Sequence, residues 1–284
     1  MKLFTGGTRG TRAVADMAFA RFGGDTSCFL VTGAAGEQAI VDAGTGLRSV
    51  AAKLAQDETA PIRFFFTHWH LDHLAGLFSF APLYREGRCV NIAAPQFDGV
   101  APASVVGALF APPFWPVPLA ALQARIGFSA LSDEPAALTV GGLHVRWCPV
   151  RHPGGCLAYR FDEPGTEQAL VIATDMEWAT ASARERAAFL RFCRTPRPAD
   201  LLLMDGQFTP DHYEPFRGWG HSRWSDGVEV ARLADAGALA VIHHDPNSPD
   251  TRLDTVERDI QRAWPNAFLL KQGTELDLSG PLAC

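Results

Sequence analysis

The sequence has no closely spaced pair of cysteines and no apolar run long enough to span a bilayer. Its six cysteines stand singly, at Cys28, Cys89, Cys148, Cys156, Cys193 and Cys284. This spacing excludes a CxxC metal or redox motif and predicts reduced thiols rather than a disulfide framework. The first residues, 1–7, contain no apolar core of the kind found in signal peptides. We therefore expect a cytoplasmic protein without a membrane partner.

Positive charge is also scarce. Lysine and arginine together number 25, against 31 aspartates and glutamates, and the formal net charge is −6. A field of this sign repels polyanions, so no long nucleic acid is expected as a partner. With 284 residues, 47% of them hydrophobic, the chain can bury a large core. No repeat or linker interrupts it, and the sequence predicts one domain over residues 1–284.

What the sequence does contain is a dense group of metal-binding side chains. Residues 67–73 read Thr-His-Trp-His-Leu-Asp-His, with three histidines and one aspartate within six positions. They directly follow the apolar run 62–66, which is typical of a buried strand. Imidazole and carboxylate groups are the usual protein ligands of first-row metals. A strand that ends in such a turn predicts a metal site.

Short strands alternate with helices along the rest of the chain. The patterns predict strands at 26–32, 39–42, 62–66, 89–94, 125–131, 137–139, 143–150, 156–161, 169–173, 200–204, 238–242 and 267–270, and helices at 47–56, 74–78, 182–194, 223–236 and 251–263. The glycine-rich segment 6–12 is predicted to be a loop. Segment 95–131 is rich in proline and aromatics, and predicts an insertion that serves as a packed surface element, a lid or a homodimer contact.

Polar residues that can bind metals each follow a predicted strand. They are Asp42, His68, His152, Asp175, Asp205 and His243. Strands that share a direction end at one edge of a sheet, so these side chains should converge there. His68 and His70 can reach one ion together, whereas Asp72 and His73 point to a second. Two neighbouring ions need a bridging carboxylate, and Asp175 is the candidate.

Two further histidines complete the expected ligand sets. His152 joins the first set and His243 the second, although a shift of one residue would replace His243 by His244. Asp42 is interpreted as a helix cap or as a residue that orients a ligand histidine, rather than as a ligand. His144 and His212 have no partner in the pattern and are interpreted as structural.

The arrangement resembles the metallo-β-lactamase superfamily, in which an HxHxDH turn precedes a separate histidine, a bridging aspartate and a final histidine. Residues 68–73 match the turn, and His152, Asp175 and His243 match the later motifs. The resemblance implies an α/β fold, a four-layered αββα sandwich of the metallo-β-lactamase type. It also implies two divalent metal ions, with zinc expected and manganese or iron as alternatives.

One branch of this superfamily, which contains tRNase Z and the PhnP-like cyclic phosphodiesterases, is similar in two more places. Gly10-Thr11 with residues 23–28 resembles the opening of that branch, and residues 220–222, Gly-His-Ser, resemble its additional histidine motif. Asp205 stands where tRNase Z carries an acidic residue that contacts this histidine. Arg223 in place of the usual threonine, aspartate in place of glutamate, and no long Gly/Pro-rich arm disfavour a tRNA substrate.

The resemblance therefore implies a hydrolase that cleaves a small phosphodiester, such as a cyclic nucleotide, a cyclic phosphate or a small nucleotide diester. A hydroxide shared by the two ions would attack phosphorus. His221 would protonate the leaving oxygen or help to hold the phosphate, Asp205 would orient His221, and Asp72 would assist as a base. The alternatives are another hydrolase of this scaffold, a thioesterase or a lactamase, and a non-catalytic metal-binding regulatory protein.

Overall fold

The fold of the chain is given by a computed structural model that describes residues 1–54, 59–132 and 137–282. Its described strands are β1 (Lys2–Gly7), β2 (Cys28–Thr32), β3 (Gln38–Val41), β4 (Ile62–Phe65), β5 (Cys89–Pro95), β6 (Arg125–Leu131), β7 (Ala137–Val140), β8 (Leu143–Val150), β9 (Cys156–Glu163), β10 (Gln168–Ala173), β11 (Leu201–Asp205), β12 (Ala238–Ile242), β13 (Ala267–Leu269) and β14 (Glu275–Asp277). The α-helices are α1 (Leu47–Ala51), α2 (Pro102–Leu109), α3 (Ala183–Arg194), α4 (Trp224–Leu233) and α5 (Asp250–Ala263).

The strands form two seven-stranded sheets. The first has the order β14-β1-β2-β3-β4-β5-β6, and the second has the order β13-β12-β11-β10-β9-β8-β7. Strands β3 to β6 are parallel to one another, as are β10 to β13. The carboxyl ends of parallel strands lie at one edge of a sheet, which is where such folds place functional residues.

The two sheets pack against each other through their apolar inner faces. Phe65 of the first sheet meets Tyr159 and Phe161 of the second edge-on, with ring centroids 5.6 and 6.1 Å apart. Helices α3, α4 and α5 cover the outer face of the second sheet, and α1 and α2 cover that of the first. Each sheet thus buries both faces, as parallel strands require. The predicted four-layered αββα sandwich is confirmed.

Several predicted elements differ from the structure. Residues 6 and 7 belong to β1 rather than to a loop, because their glycines allow a close approach: a Cβ at Gly7 would lie 2.1 Å from the carbonyl oxygen of Thr26. The short edge strand β14 was not predicted. The helix predicted at 74–78 is wrong, because this stretch forms separate 3₁₀ turns, including Leu77–Ser79. The helix predicted at 47–56 ends at residue 51, and residues 55 and 56 lie outside the described residues.

Segment 95–131 is more regular than its proline content indicates. It contains α2 and β6, and β6 extends the first sheet as its parallel edge strand. Trp115 stacks on Phe78 with a centroid distance of 4.8 Å, and Phe110 is buried, whereas Phe114 is exposed. A lid or homodimer contact formed by this segment stays a prediction. None of the helices in the described ranges combines the length and apolar character that a bilayer span requires.

A buried arginine ties α3 to the second sheet. The guanidinium of Arg160, on β9, binds the carboxylate of Asp162 at 2.7 Å and donates to the carbonyl oxygens of Cys193 and Arg197, at 2.6 and 2.8 Å. The Cys193 carbonyl lies in the last turn of α3 and the Arg197 carbonyl follows the helix, where backbone acceptors lack helical partners. Burying the charge is tolerated because each of the three guanidinium nitrogens donates a hydrogen bond to an oxygen.

We expect Arg160→Met to lower the free energy of unfolding by about 3 kcal/mol, because the Arg197 carbonyl loses the guanidinium donor and the buried Asp162 carboxylate is left with Arg146 as its described ion-pair partner. Arg262→Met, which breaks the exposed pair with Asp259, should cost less than about 1 kcal/mol. Urea unfolding of both variants measures the difference. Equal losses would contradict a structural role for the buried guanidinium.

Candidate metal centre and active site

The residues that follow the strands meet at one edge of the sandwich. His68 follows β4, His152 follows β8, Asp175 follows β10 and His243 follows β12, while Asp205 is the last residue of β11. Strands β8 and β10 point the same way because β9 runs antiparallel to both. The structure therefore brings together side chains that lie up to 175 positions apart in the sequence.

The first cluster consists of His68, His70, His152 and Asp175, whose potential ligand atoms all lie within 4.8 Å of one another. Nε2 of His152 is 3.1 Å from Nδ1 of His70, and Nε2 of His68 is 3.6 Å from Oδ2 of Asp175. The outer nitrogen of His152 is 2.8 Å from the carbonyl oxygen of Gly220. That contact fixes Nδ1 as the protonated nitrogen and leaves Nε2 as a ligand atom.

The second cluster consists of Asp72, His73, Asp175 and His243 and meets the same distance limit. Nε2 of His73 lies 3.1 Å from Oδ1 of Asp175, and Nε2 of His243 lies 3.3 Å from Oδ2 of the same carboxylate. Asp175 thus belongs to both clusters. On its outer side, Nδ1 of His243 is 2.9 Å from Oε1 of Gln207.

Four buried atoms at the centre of these clusters have no hydrogen-bond partner among the described residues. They are Nε2 of His68, His73 and His243, and Oδ1 of Asp175. Leaving such an atom unsatisfied costs about 1–3 kcal/mol, so one group of four requires an explanation. All of them are lone-pair donors that face one another, and a divalent cation would satisfy them together. The residues present therefore fit divalent metal binding.

The electrostatics of the second cluster favour positive charge, whereas burial lowers the pKa of His68, His70 and His152 in the first and keeps these rings neutral as metal ligands must be. Burial opposes protonation of His243, but Asp175 and Asp72 outweigh it and raise its pKa to about 10. The pKa of His73 is raised in the same way, against its burial, by Asp175, Asp72 and Asp42. Burial would raise the pKa of Asp72, but His73 and His243 lower it instead. A site that raises the pKa of buried imidazoles is one that attracts cations.

Asp42 and His244 lie outside the two clusters. Oδ2 of Asp42 is 2.7 Å from Nδ1 of His73, and its carboxylate also accepts the Thr67 amide at 2.8 Å. Asp42 therefore orients His73 through the ring nitrogen that faces away from the cluster, as interpreted from the sequence. Nε2 of His244 is 2.7 Å from the carbonyl oxygen of Leu270, and burial lowers the pKa of His244 to about 3. Of the two consecutive histidines, the structure brings His243 into the cluster.

His221 and Asp205 form a pair beside the second cluster. Nδ1 of His221 is 2.8 Å from Oδ2 of Asp205, and the ring of His221 stacks on that of His243 with centroids 4.5 Å apart. Backbone amides of Met176 and Gln207 donate to the Asp205 carboxylate, at 3.2 and 3.0 Å. The carboxylate is thereby held in one orientation, and it orients the imidazole in turn.

Residues that the sequence analysis did not assign support these side chains. The amide of Thr11 donates to Oδ2 of Asp72 at 2.9 Å, and Gln207 contacts His243. The buried Glu177 accepts hydrogen bonds from Tyr213 Oη and the Gly218 amide, both at 2.6 Å, and from the Gly220 amide at 3.1 Å. The sequence could have indicated Gln207 as a site residue, because it comes two residues after the end of a strand. Glu177 had none, because its partners are 36 or more residues away.

The loop that Glu177 holds contains two glycines with positive φ, and only one of them touches a cluster residue. Gly220 has φ +96°, and a Cβ there would lie 2.4 Å from Nδ1 of His152. Gly218 has φ +89°, and no atom lies within 4 Å of its hypothetical Cβ. Gly220 therefore serves both the turn and the close approach to His152, whereas Gly218 serves the turn alone.

This difference makes the two glycines a matched pair. Gly218→Ala should cost only backbone strain, about 1–2 kcal/mol, whereas Gly220→Ala should also displace His152 and weaken divalent metal binding by about 10-fold or more. Thermal unfolding and calorimetric zinc titration measure the two effects. Equal zinc affinities of the two variants would show that the contact between Gly220 and His152 does not matter.

Comparisons with known proteins agree with this geometry. A search of curated proteins found no match. Among solved structures, the chain is similar to the metallo-β-lactamase fold protein YhfI from Bacillus subtilis, with 18% identity and a TM-score of 0.68 over 97% of this chain and 99% of that chain. It is also similar to the short form of human tRNase Z, with 16% identity and a TM-score of 0.69 over 98% and 99%.

A third similar structure is a diphosphatase from the PhnP family, with 18% identity and a TM-score of 0.69 over 97% of this chain and 96% of that chain. At these identities the likeness concerns the fold. The sequence model of the beta-lactamase superfamily domain matches residues 38–244, which include every member of both clusters. The match covers well over half of the chain, and the chain therefore belongs to the beta-lactamase superfamily, as its HxHxDH turn predicted.

Proposed function

We propose that the protein is a metal-dependent hydrolase of small phosphodiesters that uses two divalent ions, with zinc as the expected metal. The observation that carries the proposal is the His221–Asp205 pair, 2.8 Å apart, next to a metal-binding cluster. Membership of a generally hydrolytic superfamily supports the hydrolase, and the similarity to tRNase Z and to a PhnP-family diphosphatase supports a phosphoester substrate.

The two clusters supply a complete set of ligands for each ion. His68, His70, His152 and Asp175 would hold the first, and Asp72, His73, Asp175 and His243 would hold the second. The two oxygens of Asp175 lie toward different histidines, which suits a bridging carboxylate. Bound divalent ions would supply a water of lowered pKa and positive charge for the phosphoryl oxygens.

The remaining chemistry falls to side chains of this chain. His221 binds Asp205 through Nδ1, which leaves Nε2 to donate a proton to the leaving oxygen. The Asp205 carboxylate accepts the hydrogen bond from Nδ1 and keeps the ring in one orientation during that transfer. Asp72, whose carboxylate accepts a hydrogen bond from the Thr11 amide, would orient the attacking water and accept the proton that this water loses. The alkoxide released from a phosphodiester is a poor leaving group, so a proton donor in this position is well matched to the reaction.

A thioester or lactam substrate would use the clusters without needing His221. Assays of thioester, lactam and bis(p-nitrophenyl) phosphate hydrolysis side by side separate these reactions. Metal-replete protein that turns over none of them would favour a binding protein instead. The net charge of −6 favours small diesters over long nucleic acid as substrates.

We expect His221→Ala to lower kcat for a phosphodiester with an alkoxide leaving group, such as a cyclic nucleotide, by about 10²- to 10⁴-fold and to keep its metal content, because the ring donates the proton to that oxygen. His212→Ala is the control, because it removes an exposed histidine from the same loop. Steady-state kinetics and elemental analysis of both variants measure the outcome. Loss of bound metal from His221→Ala would contradict the role assigned to the ring.

Metal content should also depend on which ligand is removed. Asp175→Ala should lose both ions, because both clusters share this carboxylate, whereas His152→Ala should lose only the first. Asp211→Ala, which changes an exposed carboxylate outside the clusters, is the control. Inductively coupled plasma mass spectrometry after dialysis gives the metal-to-protein ratios. Equal ratios in Asp175→Ala and His152→Ala would contradict a dinuclear site bridged by Asp175.

A further inference from the structure

Trp219 is a large exposed side chain beside the candidate active site. Its relative exposure is 64%, and it lies two residues before His221, so their Cα atoms are at most about 7.6 Å apart. The intervening Gly220 contacts His152 through its carbonyl oxygen. Trp219 therefore belongs to the loop that carries the proposed proton donor, and its neighbour Gly220 contacts a residue of the first cluster.

Aromatic rings connect Trp219 to His221. The indole meets Phe216 edge-to-face with centroids 5.3 Å apart, and Phe216 stacks on Phe208 at 4.8 Å. Phe208 in turn lies 6.3 Å from the ring of His221. This arrangement supports one edge of the indole and leaves most of its surface in solvent.

The backbone around Trp219 is held rigidly. Glu177 accepts the amides of Gly218 and Gly220, which flank the tryptophan, and the Trp219 amide donates to the carbonyl of Phe216 at 3.0 Å. Both flanking glycines have positive φ, a conformation that glycine adopts without steric cost. A buried carboxylate is costly unless it is fully hydrogen-bonded. Here its hydrogen bonds fix the segment that presents an exposed indole.

We propose that Trp219 is a binding platform for an aromatic ring of the substrate, which makes nucleoside phosphodiesters the substrate class. This inference rests on the proposed function, because it assumes that the phosphate binds at the clusters while the base stacks on the indole. Stacking on an aromatic side chain is available to every base. The platform therefore selects for the presence of a base and not for its identity.

The size of the exposed surface favours a single ring over a larger partner. Trp219 is flanked by the ion pair between Arg217 and Glu214, with atoms 2.8 Å apart. Protein and membrane contacts use apolar patches of several hundred Å². One indole bordered by charged groups provides much less than that, but it matches the face of one nucleobase.

Binding of product-like ligands tests the platform independently of turnover. Calorimetry of the zinc-supplemented full chain would compare thymidine 5′-monophosphate with methyl phosphate, which carries no ring. The wild type should bind the nucleotide about 5- to 150-fold more tightly, as one stacked base contributes. In Trp219→Ala this preference should fall towards one, and Trp219→Phe should keep most of it.

Phe114→Ala is the matched control, because it removes another exposed aromatic ring, 72% exposed. It should keep the wild-type preference. Equal affinities in the wild type, a preference that survives Trp219→Ala, or an equal loss in Phe114→Ala would each overturn the platform. A wild type that prefers the nucleotide but hydrolyses no diester would overturn the proposed reaction and leave the platform standing.

Discussion

The shared carboxylate of Asp175 is the feature on which the rest of the site depends. It is buried, and the Nε2 atoms of three histidines lie within 3.1 to 3.6 Å of its oxygens: His68 and His73 of the turn after β4, and His243 after β12. A buried charge of this kind is stable only if positive charge is brought to it. In the protein alone His73 and His243 take that role, because Asp175 and Asp72 raise the pKa of both imidazoles despite their burial.

Three of the cluster histidines are oriented towards this centre by a contact at the ring nitrogen that faces away from it. Asp42 holds His73, Gly220 holds His152 and Gln207 holds His243. These partners come from distant parts of the chain, so the geometry of the clusters depends on the packing of both sheets. The same principle extends outward to Glu177, which holds the loop that carries Gly220 and His221. Positioning residues are therefore as widely distributed as the candidate ligands.

Much of the fold follows from patterns that are local in the sequence. The buried strand before the ligand turn is recognisable because its apolar run is bounded by polar residues, and the same holds for the strands that end at Asp175 and His243. The predictions failed where tertiary contacts override local preference. Gly6 and Gly7 belong to a strand because the neighbouring backbone leaves no room for a side chain. The 3₁₀ turns after His73 replaced a predicted helix, and Gly76 there fits against the backbone of Gly44.

The sequence by itself determined the superfamily, the layered architecture and the set of candidate ligands, because these depend on residue types at short spacings and at strand ends. The tertiary structure decided the choice between His243 and His244, the placement of Asp42 behind His73, and the contact of Glu177 with the His221 loop. Each of these depends on a contact between segments that lie far apart in the chain. The periodicity of apolar residues does not predict such a contact, because the contact forms only when both sheets have packed.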